Sequence, residues 1–176
     1  MAYKNTKLES EGAEFLVLGN LLINGVAAYK TYTNMPGYDL VATSPEHNTS
    51  ARIQVKSRWT RKAGGFLIKR FDCDFVVFVR LNLDGVTSNN KVPDPDYFIL
   101  PASVVENAHR REKMPKFILK DISNYQQYLS NWTLISAFLA GAPNKALQPT
   151  VHSPRSRASF PAARRTRRTR TIRSSA

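Results

Sequence analysis

Apolar residues recur at helical spacing through ESEGAEFLVLGNLLIN, with Ala13, Leu16, Val17 and Leu21 on one stripe and Phe15 or Leu22 beside it. This spacing predicts a helix from Glu9 to about Asn24, with Ser10 as candidate N-cap and Gly25 as the stop. So broad an apolar face predicts cover on more than one side. VAAYKTY then reads as a short strand, NMPG as a turn and YDLVAT as a second strand. SPEHNTSA has loop composition, which makes YDLVAT and ARIQVKSRW the two arms of a hairpin. In the second arm Ile53 and Val55 alternate with Arg52, Gln54, Lys56 and Arg58, the period of a strand with one apolar and one polar face.

TRKAGG reads as a flexible, basic connection, and FLIKRF as either a strand or a short connecting element. DFVVFVRL holds an unbroken apolar run from Phe75 to Val79, the pattern of a strand buried on both faces. After the loop DGVTSNNKVPDPD come a buried strand, YFIL, and a helix, PASVVENAHRR, with Pro101 as its first residue. KFILKDI predicts an edge strand. ISNYQQYLSNWTLISAFLAG predicts a closing helix with Tyr125, Tyr128, Leu129, Trp132, Ile135 and Leu139 on one side. The expected fold class is α/β: a mixed central sheet with flanking helices, in the order helix, three strands, connection, strand, then C-terminal strand and helices.

Composition sharpens the domain picture. A chain of 176 residues with 42% hydrophobic side chains suits one domain plus an appendage and excludes a wholly disordered protein. The net charge of +13 is unevenly spread. Residues 1–140 carry 17 basic and 13 acidic side chains, whereas residues 141–176 carry Lys145 and eight arginines with no acid. The expected division is therefore an α/β domain over 1–140 and a basic, disordered tail over 141–176. ARRTRRTRTIR in that tail could be an arm that neutralises phosphates. It could equally be fortuitous, because NKALQPT resembles the translated read-through of integron cassette recombination sites. The single cysteine, Cys73, excludes an internal disulfide and a cysteine-based zinc cage, and beside a buried strand it is expected in the core. No run reaches the ~18 apolar residues of a membrane span, and MAYKNTKLESEGAE has no apolar signal core. The expectation is a cytoplasmic protein with no membrane partner.

The candidate chemistry lies on the polar face of the hairpin. No phosphate-binding glycine loop and no HExxH is present, and His47, His109 and His152 are too scattered for a zinc site. Gln54 and Lys56, two residues apart, share one side of their strand, and Asp39 begins the preceding strand. If the arms pair, a carboxylate, an amide oxygen and an ammonium converge. Phosphodiester hydrolysis uses such parts: oxygen ligands for Mg²⁺, and a cation that orients water and offsets developing charge. Each residue also has an ordinary reading, Asp39 in a turn, Gln54 and Lys56 on a solvated strand face, Glu14 on a helix surface.

In order and spacing, Glu14 in GAEFLVLGNLLINGV, Asp39 in GYDLVA and Gln54-Val55-Lys56 in IQVKSR resemble the PD-(D/E)XK nuclease superfamily, which has the restriction-endonuclease-like fold. The likeness covers residues 9–59, DFVVFVRL fits the next core strand, and the remainder resembles small uncharacterised or intron-encoded endonuclease branches. The resemblance implies Asp39 as principal metal ligand, and Gln54 as a second with the Val55 carbonyl nearby. It implies that Lys56 positions or deprotonates water, and that Glu14 reaches the metal through water or holds a second ion. Gln54 departs from the usual Asp or Glu, removes one negative charge and should weaken Mg²⁺ binding. Arg58, Arg61 and Lys62, interleaved with Trp59, are candidates for gripping a phosphate backbone. The expected function is a Mg²⁺- or Mn²⁺-dependent nuclease acting on nucleic acid, DNA in the first place, and as a homodimer where both strands are cut. The alternative is an inactive nucleic-acid-binding or protein-binding protein, of immunity or regulatory type, on the same fold.

Overall fold

A computed structural model of the chain describes residues 5–32, 37–84, 93–108 and 116–141. The tail expected from 141 onward lies outside the described residues apart from Gly141, as do 85–92 and His109–Arg111.

The first helix, α1, runs Thr6–Ile23. Asn5, rather than Ser10, caps it: the Asn5 side chain accepts from the backbone N–H groups of Lys7 and Leu8, which no helical carbonyl can reach. Only Glu9, Ala13, Val17 and Leu21 are buried on α1. The wider cover expected for this helix is not found among the described residues, where Leu8, Phe15, Leu16, Leu22 and Ile23 stay exposed.

Five strands form the main sheet in the order β1-β2-β3-β5-β6. They are β1 (Ala27–Lys30), β2 (Leu40–Ser44), β3 (Thr49–Arg58), β5 (Phe75–Arg80) and β6 (Asp96–Pro101). β1, β2 and β3 form an antiparallel meander, and β5 joins β3 in parallel, with Ile53 opposite Phe75 and Lys56 opposite Phe78. β6 closes the other edge antiparallel to β5. Parallel pairing between β3 and β5 demands a crossover, and residues 59–74 supply it.

The strict alternation on β3 sorts the two faces. Ile53 and Val55 share one face with Phe75 and Val79 of β5 and with Tyr97 of β6. On that side Phe75 meets Phe138 edge to face and Tyr97 lies against Trp132. These rings bring in α3 (Thr133–Leu139) beside α1. The other face carries Gln54 and Lys56 beside Phe78 and Phe98. There a two-stranded sheet, β4 (Gly65–Leu67) paired with β7 (Lys116–Ile118), sets Phe66 against Phe78, with Phe117 against Phe66. The short helix α2 (Ala102–Ala108) contacts β5, β6 and β7. The uninterrupted apolar run of β5 thus has layers on both sides, as its sequence predicts.

Three elements differ from the sequence expectation. Pro101 ends β6 instead of beginning the helix, since its ring tolerates the last position of an edge strand, where the missing N–H leaves no ladder bond unmade. KFILKDI does not extend the main sheet: three of its residues pair with β4 and the next three form a 3-10 turn. The closing helix is divided. Asn124 and Ser130 have φ of 55° and 49°, so the chain forms a 3-10 turn at Tyr125–Tyr128, and Ser130 N–H donates to Tyr97 O before α3 begins. Anchoring Phe98 and Leu129 across a β-bridge takes precedence over helical continuity there.

Two glycines are fixed by close approach. A Cβ at Gly65 would come within 2.0 Å of Phe117 O, so a glycine at the start of β4 permits β4–β7 pairing. Gly37 has φ of 98°, and a Cβ there would meet the Asp72 Cβ at 2.6 Å. The stretch expected as a flexible connection is therefore partly a packing requirement.

Candidate active site

Asp39 occupies a bend immediately before β2, and its bonds bracket Gln54. Its N–H donates to Ile53 O at 2.9 Å, and its Oδ2 accepts from Val55 N–H at 2.7 Å. The carboxylate thus takes the place a backbone carbonyl would fill were the β2–β3 ladder continued. Thr31 holds the same bend from the other side through its N–H and its hydroxyl, both donating to Asp39 O.

Gln54 and Lys56 project to one face of β3, as their spacing predicts. Gln54 Oε1 is buried and accepts no hydrogen bond among the described residues. A buried carbonyl oxygen without a donor is costly, and a cation or a water is what such an atom suits. Burial pushes the Lys56 ammonium below the ordinary lysine range, with Asp39 the strongest influence holding it up. A lysine held closer to neutrality is better able to accept a proton from water. Cys73 lies in the same neighbourhood, buried as expected, and burial raises its thiol to about 11. That is the behaviour of a core side chain.

Glu14 is half-buried on α1. Burial raises its carboxyl above the ordinary range against the pull of Lys30, and Asp39 and Glu11 push the same way as burial. The fold therefore brings Asp39, Gln54 and Lys56 together on adjacent strands and puts Glu14 within electrostatic reach of Asp39. Lys30, at the inner end of β1, donates to Glu14 Oε2 and pairs with Glu11 at 3.0 Å. Sequence reasoning passed over Lys30, although it shares the strand parity of buried Ala28 and so stands at a position otherwise read as inward.

The donor set is compatible with one hard cation: Asp39 and Gln54 offer carboxylate and amide oxygens, the ligand type Mg²⁺ favours. Among the described residues, no three His, Cys, Asp or Glu side chains gather as a metal cluster. The basic candidates lie further along. Arg58 Nη1 donates to the Ser57 carbonyl, and Arg61 N–H donates to Asp84 Oδ1 at 2.8 Å. The side chains of Arg61 and Lys62 are exposed.

The chain matches no family model and no curated protein. Among solved structures it is similar to the bacterial homing endonuclease I-Ssp6803I, with a TM-score of 0.54 and 19% identity over 78% of this chain and 97% of that one. It is also similar to Hjc, a Holliday junction resolvase from Archaeoglobus fulgidus, with a TM-score of 0.45 and 19% identity over 76% and 96% of the two chains. At this identity the likeness is one of fold: a mixed α/β sheet with flanking helices in a restriction-endonuclease-like order. No helix among the described residues is long and apolar enough to cross a membrane.

Proposed function

We propose that this protein is a Mg²⁺- or Mn²⁺-dependent nuclease that hydrolyses phosphodiester bonds in DNA, with Glu14, Asp39, Gln54 and Lys56 as its active-site residues. The observation that carries this reading is the buried, unpartnered Gln54 oxygen, set between the two residues to which Asp39 is bonded. The fold shared with a homing endonuclease adds to it.

In this reading Asp39 and Gln54 would hold the cation, with Glu14 in support of it. When bound, the cation would polarise the phosphate and make water more acidic. Lys56 Nζ orients the attacking water and takes up its proton, a role that its depressed basicity suits. Arg58, Arg61 and Lys62 grip backbone phosphates, which positions the strand without reading its sequence. Cutting both strands at one position would take two such sites, hence a homodimer. The proposed setting is cytoplasmic, since a lone buried cysteine, Cys73, suits a reducing compartment.

The test is incubation of the purified full chain with supercoiled plasmid and Mg²⁺ or Mn²⁺. Wild type should nick it and Lys56→Ala should not; no nicking by wild type, or equal nicking by the variant, refutes the reading. The neutral Gln54 and the Lys30–Glu14 pair favour one second reading, a nucleic-acid-binding or protein-binding protein that has lost catalysis. It predicts salt-sensitive DNA binding without cleavage, or co-purification of a stoichiometric protein partner.

A further inference from the structure

Lys30 is nearly enclosed, with its side chain 6% exposed, against 17% for Glu14 and 46% for Glu11. Its Nζ contacts both carboxylates, and the rings of Phe15 and Tyr32 lie 5.2 and 6.0 Å from it. A lysine so covered and so engaged is poorly placed to meet a DNA phosphate. Lys30 thus sits on the one carboxylate besides Asp39 that belongs to the candidate site.

The charge count is the consequence. Of the candidate ligands, Gln54 carries no charge and Glu14 is already bonded to Lys30, which leaves Asp39 as the carboxylate that Lys30 does not engage. Hard cations bind in proportion to the negative charge their ligands carry. A centre with one disengaged carboxylate has little to offer Mg²⁺ on its own.

We propose that Lys30 is a positioning residue that keeps Glu14 engaged in the metal-free protein, so that a divalent cation is held at Asp39 and Gln54 alone and binds weakly until DNA phosphate supplies the missing charge. The inference rests on the metal site proposed above and goes beyond it by naming what sets its affinity. Lys30 acts through Glu14 and touches neither substrate nor the reacting atoms.

The experiment is calorimetric titration of Mn²⁺ into the full chain without DNA, for wild type, Lys30→Met, Glu14→Gln, the double variant and Asp39→Asn. Releasing the Glu14 carboxylate should tighten binding about tenfold in Lys30→Met. Glu14→Gln should then cost about tenfold more affinity in the Lys30→Met background than in wild type, a coupling that general loosening of the fold would not produce. Unaltered or weaker Mn²⁺ binding by Lys30→Met overturns the proposal. Should that variant fail to fold, Glu14→Gln in wild type decides, because a loss as large as that of Asp39→Asn shows Glu14 already free to bind. Asp39→Asn separates the two claims: Mn²⁺ binding that survives it removes the site proposed above, whatever Lys30 does. A second titration with Ca²⁺ and an uncut duplex should show DNA and cation each tightening the other in wild type; independent binding also overturns the proposal.

Discussion

Replacing Asp39 separates what the side chain does for the fold from what it does for chemistry. Its Oδ2 accepts from Val55 N–H at 2.7 Å, and Val55 is buried. Asp39→Ala leaves that N–H with no acceptor and no room for bulk water. Orphaning a buried donor costs roughly 1–3 kcal/mol, and hydrogen bonds to a charged acceptor contribute about 1.5–3 kcal/mol. The alanine variant should therefore lose about 2 kcal/mol. For a chain of this size that lowers Tm by about 4–8 °C. Asp39→Asn keeps a carbonyl oxygen of the same reach, so it trades a charge-assisted bond for a neutral one and should lose under about 1 kcal/mol. It also removes the negative charge that raises the Glu14 carboxyl. Urea unfolding followed by the fluorescence of Trp59 and Trp132 measures both losses, and plasmid nicking with Mn²⁺ measures chemistry. The expected pattern is Asn folded and inactive, Ala destabilised and inactive. An alanine variant within about 0.5 kcal/mol of wild type would contradict the argument for the ladder-replacing bond. Nicking retained by the Asn variant would contradict the ligand role.

Four further outcomes follow from the geometry. Gly65→Ala drives a Cβ into the Phe117 carbonyl and should destabilise by roughly 1–3 kcal/mol or more, read as a lowered urea midpoint. Phe66→Ala empties the contact with Phe78 and Phe117 and should cost about 3–5 kcal/mol in the same measurement. Because burial depresses Lys56 in the folded state, its charged form opposes folding; the stability it contributes is present above the ordinary lysine value and is lost as pH falls through the folded one. Lys56→Met should accordingly be more stable than wild type near neutrality, with the difference narrowing toward pH 10, a trend that thermal melts across pH can check. In DNA binding, removing Arg61 and Lys62 together should flatten the dependence of log affinity on log salt by about 0.9 per residue, while an unchanged slope would remove them from the interface.

Period and composition made much of the framework legible. Alternation in ARIQVKSRW placed Gln54 and Lys56 on one face of β3, and the apolar run of DFVVFVRL announced a strand covered on both sides; both features are local consequences of chain geometry. The fold sets Asp39 against the Val55 N–H, between Gln54 and Lys56 on β3. Element ends and long-range partners were less legible. Asn5 acts as N-cap because its side chain meets two free N–H groups, and Ser10 sits too far inside the helix to do so. A continuous apolar periodicity over 122–141 concealed the left-handed residues Asn124 and Ser130, whose conformations serve the contact with β6.

By itself, then, the sequence determined the strand faces, the buried central strand and the identity of the polar residues, because side-chain alternation and hydrophobic run length act within a few residues. Only the tertiary structure decided that KFI pairs with GFL, that Gly65 is required by a neighbouring carbonyl, and that Lys30 engages Glu14. Each of those depends on segments distant in the chain meeting at a few ångströms, where steric overlap, an orphaned oxygen or an uncompensated charge acquires its cost. Lys30 and Glu14 lie sixteen residues apart, and no local rule of period or propensity connects them until the edge strand packs beneath the first helix.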